Sequence, residues 1–177
     1  MTVKSEYGRA LFLLAKENGS VEKIKCDLAV AIAVLKENPE YIKMLDTPAI
    51  SKKEKLALAD EAFSSVDESV SNLIKILSER HIVATMPDVY KTYISLYNED
   101  MGIEEVEVIT AIALSEAQAD AMKKKLAGIT EKTIILKNTV DDKILGGVKL
   151  RYEGKQIDAS LKTRLDGFAE SLRNIII

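Results

Sequence analysis

The sequence predicts a mainly α-helical protein in two parts, a helical N-terminal domain over residues 1–104 and a smaller α/β domain over residues 105–177. Three observations carry this. From Tyr7 to about Asn98 the apolar residues recur at three- and four-residue spacings, the period of one helix face. After Met101-Gly102 the period drops to two, with Val106, Val108, Thr110 and Ile112 alternating with their neighbours as in a strand. With 47 % apolar residues among 177, either part has material for a core.

In the first part the periodic runs are interrupted at Asn18-Gly19-Ser20, Asn38-Pro39, Thr47-Pro48 and Met86-Pro87, all turn-forming combinations. Val21, Ile24, Leu28, Ile32 and Leu35 make one apolar stripe with charges opposite. Ser51 followed by Glu54 is the pattern of a capping box, in which the serine and glutamate side chains satisfy each other's backbone amides. It starts a helix that runs to Phe63. Further helices are expected from Glu68 to His81 and from Pro87 to Asn98. In the second part the strand at Val106 runs towards Leu114, and Ser115 with Gln118 opens a helix through a second capping box. The basic turn Lys123 to Leu126 and then Gly128 are expected to stop it. Lys132 to Val140 reads as a strand. Val148–Tyr152 and Lys155–Ile157 read as a hairpin turning at Glu153-Gly154, and Leu161 to Asn174 as a closing helix.

Composition excludes several function classes. With 25 basic and 28 acidic residues, net charge -3, there is no overall positive field for nucleic acid, and no basic run is interleaved with aromatics. No window of about 18 uncharged apolar residues is present to span a bilayer. Residues 1–6 have neither an apolar signal core nor a transit-peptide composition, so the chain is expected to stay where it is made. The single cysteine, Cys26, cannot form an internal disulfide and lies off the apolar stripe of its helix.

The stretch "VDDKILGGVKLRYEGKQIDAS", Val140 to Ser160, is the closest thing to an active site. A small enzyme could use Asp141, Asp142, Arg151 and Asp158 on a phosphorylated or cationic substrate. Yet Asp141 and Asp142 are sequence neighbours that diverge, and no third ligand follows at a metal-binding spacing, so a strand end turning is the plainer reading. Gly146-Gly147 has neither a Lys-Ser/Thr behind it nor a third glycine opening a helix. A bulge entering a strand suits it better than a phosphate loop. His81, the only histidine, has no cysteine partner, and helical spacing sets it with Val70, Ile74 and Leu77 near a helix end, where it can meet terminal carbonyls. No nucleophile, base and orienting group assemble from the sequence.

The more informative feature is an excess of apolar residues. Taking Tyr7 as zero and about 100° per residue, Leu11 and Leu14 fall within about 40° of it, while Phe12 and Leu13 fall at roughly 140° and 240°. One buried face cannot take them all. With Val70, Ile74 and Leu77 on one face, Leu73 and Ile76 lie on a flank at roughly 300° and 240°. Two such helices side by side would form a groove for a partner's amphipathic helix; ordinary burial inside the domain is the competing reading.

Four segments carry a family resemblance. "YGRALFLLA" (Tyr7 to Ala15) is similar to an opening Tyr-Ala-x-Ala-Leu-Phe-x-x-Ala helix, with Gly8 where alanine is usual. "NLIKILSER" (Asn72 to Arg80), "VEVITAIALSEAQ" (Val106 to Gln118) and "VDDKILGGVKLRYEGKQIDASLKTRL" (from Val140) follow in the same order and spacing. Together they resemble the delta subunits of bacterial F-type ATP synthases, relatives of the mitochondrial oligomycin-sensitivity-conferring protein. The resemblance implies an N-terminal six-helix bundle and a C-terminal α/β domain, with no catalytic residue, cofactor or metal. It further implies a stator role, in which the bundle receives the N-terminal helices of the alpha subunits and the C-terminal domain meets the stalk b subunits. Membrane association would be peripheral, through the complex, at the cytoplasmic face. Carried onto matching positions, the alpha-docking residues are Tyr7, Ala10, Leu11 and Leu14 on the first helix, Leu73, Ile76 and Leu77 on the fifth, and Ile24 to a lesser degree. A general helical adaptor unrelated to ATP synthesis is the alternative. Gly8 in a helix costs about 1 kcal/mol relative to alanine, so this departure from the family pattern is expected to make the first helix locally less stiff.

Overall fold

The computed structural model describes residues 3–144, 146–152 and 155–160. The chain separates into two compact units, Met1–Asp100 and Met101–Ile177. The helix expected over Leu161 to Asn174 and the turn at Glu153-Gly154 lie outside the described residues.

The first unit contains α1 (Val3–Glu17), α2 (Val21–Glu37), α3 (Pro39–Asp46), α4 (Lys52–Ala62), α5 (Glu68–Glu79), a 3-10 turn (Val83–Thr85) and α6 (Met86–Asp100). Local chemistry sets the boundaries. Gly19 ends α1 with φ 64°, while the Ser20 amide bonds back to the Ala15 carbonyl at 2.9 Å. Pro39 starts α3, where a missing amide hydrogen loses no helical bond. The Ser51–Glu54 capping box starts α4, and the Asp67 carboxylate caps α5 by accepting from the Ser69 amide at 2.9 Å.

The core of this unit comes from every helix. It includes Phe12 and Ala15 of α1, Ile24, Leu28 and Ala31 of α2, Leu45 of α3, Ala59 of α4, Val70, Ile74 and Leu77 of α5, and Met86, Val89 and Tyr93 of α6. Helices α1 and α6 come close at Gly8, which is buried; a Cβ there would come 2.7 Å from the Val89 carbonyl oxygen. That is why the small residue stands in "YGRAL": the helix gives up some propensity so that two backbones can meet. One turn on, Phe12 packs edge-on against Tyr93 with ring centroids 5.5 Å apart. The Tyr93 hydroxyl donates to the Val21 carbonyl at 2.9 Å, and burial pushes its pKa up to about 12. Tyr97 donates to the Glu22 carboxylate, a second tie from α6 to α2. Asp27 on α2 accepts from the Asp67 amide at 2.9 Å, joining α2 to the start of α5.

Among the described residues the second unit is a four-stranded sheet with one helix packed on it. Its elements are β1 (Ile103–Thr110), α7 (Glu116–Thr130), β2 (Thr133–Val140), β3 (Gly147–Tyr152) and β4 (Lys155–Ser160), in the order β2-β1-β3-β4. Strands β1 and β2 are parallel, from Ile103 opposite Thr133 to Thr110 opposite Val140, and α7 makes the crossover. Strand β3 is antiparallel to both β1 and β4. Val106, Val108 and Ile134 form the core, covered by Leu114, Met122 and Leu126. Side chains of the alternate register carry charge: Arg151 pairs with Glu107 at 2.9 Å and Lys149 with Asp158 at 3.1 Å. Asn138 ties the ends of β1 and β2 together. Its amide donates to the Val108 carbonyl and the Thr110 hydroxyl, both at 2.9 Å, and its oxygen accepts from the Leu114 amide at 2.9 Å.

Two expectations from the sequence are corrected. Helix α7 does not stop at Gly128, which sits exposed within it. It runs to Thr130 and ends where Glu131 takes the left-handed conformation at φ 56°. Strand β1 ends at Thr110 rather than running on towards Leu114, because the Thr110 hydroxyl donates to the Ile112 carbonyl at 2.7 Å and turns the chain.

Candidate docking face on helices α1 and α5

Helix α1 is buried on one side only. Leu11, Phe12 and Ala15 point inward together with Gly8, whereas Ala10, Leu13 and Leu14 are exposed and Tyr7 is half-buried. The helical projection explains the split. Inward residues centre on roughly 90° from Tyr7, so Tyr7 and Leu14 lie on the edge of the buried face and Leu13 well outside it.

Helix α5 repeats the arrangement. Val70, Ile74 and Leu77 have no exposed surface and Leu73 only 6 %, while Ile76 keeps 45 %. The two helices are in contact, and the guanidinium of Arg80, just beyond α5, lies 5.9 Å from the centre of the Tyr7 ring. That distance is within reach of a cation–π contact. It brings Tyr7 on α1 beside the end of α5.

The sequence-derived docking residues therefore divide into two groups. Tyr7, Ala10, Leu14 and Ile76 offer surface. Leu11 and Leu73 are 4 % and 6 % exposed and lie just beneath it, and Ile24 and Leu77 are wholly interior, with no area to present to a partner. Arg80 was not anticipated, although the projection that placed Ile76 and Leu73 on one flank of α5 sets residue 80 at roughly 280°, between them. Leu13, at 54 %, is a further exposed apolar side chain on α1.

Among its described residues the stretch from Val140 contains no comparable site. The Asp141 amide donates to the Thr110 carbonyl at 2.9 Å, and its carboxylate accepts from the Lys143 amide at 3.0 Å, forming a turn at the strand end. Gly146 and Gly147 have φ of 151° and 84°, so the glycines serve the backbone entering β3. Arg151 and Asp158 are taken up by the cross-strand ion pairs to Glu107 and Lys149. His81 is not within α5 but one residue past its cap, and its ring faces Lys55 rather than terminal carbonyls. Among the described residues no cluster of three or more His, Cys, Asp or Glu side chains is placed to hold a metal ion.

Comparison with known proteins gives consistent results. The family described as ATP synthase delta (OSCP) subunit matches residues 3–172. The ATP synthase subunit delta of Clostridioides difficile (strain 630) is 31 % identical over 176 residues, which cover 98 % of this chain and 97 % of that one. The ATP synthase subunit delta of Brevibacillus brevis is 31 % identical over 169 residues, covering 95 % of this chain and 97 % of the relative. Among solved structures, a chain of the Toxoplasma gondii mitochondrial ATP synthase hexamer superposes with a TM-score of 0.73 over 97 % of this chain and 98 % of its own length. At 23 % identity, this shows a shared fold.

Proposed function

This chain belongs to the ATP synthase delta (OSCP) subunit family, and from that membership we propose that it links the alpha subunits of the catalytic head to the b subunits of the stalk. It is a non-catalytic subunit of the peripheral stalk of an ATP synthase. On this reading the helices of residues 1–104 act as one six-helix bundle that receives the N-terminal helix of an alpha subunit. Residues 105–177 form the domain that meets the b subunits. The complex is membrane-associated; no helix among the described residues is long and apolar enough to cross a bilayer. The subunit would therefore be held peripherally, at the cytoplasmic face, by its partners.

The observation that carries the docking part is the pair of exposed apolar flanks meeting at the α1–α5 contact. Tyr7, Ala10 and Leu14 lie on one side, and Ile76, with Leu73 beneath the surface, on the other. An amphipathic helix laid there would bury about 400 Å² of apolar surface, worth roughly 10 kcal/mol before the cost of association is subtracted. A connector that resists rotor torque needs such slowly dissociating contacts and no reactive group. The test is titration of a synthetic peptide carrying the alpha N-terminal helix into wild type, Leu14→Asp and Ile76→Asp. Loss of binding in both folded variants supports the assignment, and unchanged affinity removes this face from it.

A further inference from the structure

The two flanks of the docking face run in opposite directions. The Arg80 guanidinium lies over the Tyr7 ring, so the end of α5 stands beside the second turn of α1. At its other end α5 is tied to the start of α2. The Lys23 ammonium pairs with the Asp67 carboxylate at 2.9 Å, and the Asp27 carboxylate accepts from the Asp67 amide at 2.9 Å. Only Asn18 to Ser20 separate α1 from α2, so the start of α5 lies by the end of α1.

Helical spacing then sets two facing rows. On α1, Tyr7, Ala10, Leu14 and Glu17 fall within about 80° of one another, and on α5, Ser69, Leu73, Ile76 and Arg80 fall within about 60°. Because the helices are antiparallel, Arg80 with Tyr7 closes one end of the face and Glu17 with Ser69 the other. Apolar side chains lie between. Arg80 and Glu17 are both exposed, and neither makes an ion pair among the described residues. The charges around them are taken: Lys16 pairs with Asp100, Lys23 with Asp67, Lys52 with Glu79 and Lys75 with Asp60. At the Arg80 end, exposed Glu6 and Arg9 add charges of opposite sign and leave that end positive. A guanidinium lying over a ring keeps the N–H donors on its edge for a carboxylate.

We propose that the α1–α5 face reads the charge pattern of its partner: it takes an amphipathic helix with an acidic residue at the end that meets Arg80 and a basic residue at the end that meets Glu17. Apolar contact along the rows supplies affinity but has no direction, so on its own it would accept the helix either way round. Opposite charges at the two ends remove that ambiguity. A helix laid in reverse sets like charges against each other at both ends, and a helix of uniform charge is opposed at one. Arg80 is firmly placed for this task. It caps α5 with its amide bonded to the Ile76 carbonyl at 3.2 Å, and the chain turns away at His81. The inference rests on the docking function proposed above and adds to it the chemistry of the helix that fits.

The experiment titrates the alpha N-terminal helix peptide into the full chain as wild type, Arg80→Glu, Arg80→Lys, Glu17→Lys and Leu14→Asp, at about 0.05 M and about 0.5 M salt. Melting temperatures check that each variant is folded. At low salt Arg80→Glu and Glu17→Lys are each expected to bind roughly fivefold or more weakly, while Arg80→Lys, which keeps the charge, stays within about twofold of wild type. High salt should shrink these differences, since exposed charges are then screened within about 4 Å. Affinity that either reversal leaves unchanged or raises, with Leu14→Asp still blocking binding, overturns the charge pattern and leaves the docking face standing. A loss that Arg80→Lys shares in full, or that persists at high salt, assigns Arg80 to packing and overturns it too. Absence of binding by the wild type removes the docking function, and this inference with it.

Discussion

Gly8 of α1 stands so close to Thr92 of α6 that a methyl group on Gly8 would lie 2.8 Å from the Thr92 Cβ, and 2.7 Å from the Val89 carbonyl oxygen. Backbone cannot swing aside as a side chain can. Gly8→Ala would gain about 1 kcal/mol of helix propensity, but it must push two helices apart along a seam that also holds Phe12 against Tyr93. The expected net result is destabilisation of about 1–3 kcal/mol, the usual range for overpacking. Urea denaturation of the two proteins checks it, and an unchanged or raised midpoint would show that the seam relaxes freely.

Charge placed beneath the docking face should act differently from charge placed on it. Leu11 and Leu77 are 4 % and 0 % exposed, so Leu11→Asp or Leu77→Asp buries an unpaired carboxylate and is expected to unfold the helical unit, losing its circular-dichroism signal at ordinary temperature. Leu14→Asp and Ile76→Asp, at sites 42 % and 45 % exposed, should keep the signal. Folded Leu11→Asp protein would mean that this side chain is part of the accessible surface after all.

In the sheet unit, Asn138→Ala should be among the more damaging polar substitutions. It strands the Leu114 amide and removes donors from the Val108 carbonyl and Thr110 hydroxyl at once. An unsatisfied buried group costs about 1–3 kcal/mol. A loss near the upper end of that range is expected, together with faster hydrogen exchange at Leu114 and along β1. Exchange rates that do not change would show that water replaces the amide.

Tyr93 gives the protein an alkaline sensitivity. Burial holds its hydroxyl neutral up to about 12, above the ordinary tyrosine value of 10.0. The neutral form is thus favoured by folding: its contribution is complete below about pH 10 and is lost as pH rises through the folded value. Tyr93→Phe forfeits the bond to the Val21 carbonyl, about 1 kcal/mol at neutral pH. Its stability relative to wild type should then improve between about pH 10 and pH 12. Parallel denaturation curves across that range, with a constant gap, would contradict the assignment.

What could be read from residues alone was governed by local chemistry. Ser51 with Glu54 and Ser115 with Gln118 announced helix starts because a capping box is completed within four residues, and both form. The apolar flank on α1 was visible because the surplus of Tyr7, Leu13 and Leu14 over one buried face is a matter of counting angles. Hidden features depend on a partner distant in the chain. Gly8 resembled a weakness until Val89 and Thr92 arrived against it, and His81 looked like a helix-terminal residue because nothing near it in sequence pointed to Lys55. Glu131 displaced Gly128 as the end of α7 for a similar reason. Just past it, the Lys132 amine binds the Glu104 carboxylate, a partner distant in the chain, across the start of the sheet at 2.6 Å.

Among the described residues strand β2 borders the sheet, and along it Thr133, Ile135 and Lys137 are exposed in alternation. A bordering strand is an invitation to stack with another copy, and Ile135 alone would make that attractive. The ammonium of Lys137, two residues on, would have to shed its water for a second strand to zip alongside. A second copy of the chain is in this way discouraged from adding to this border.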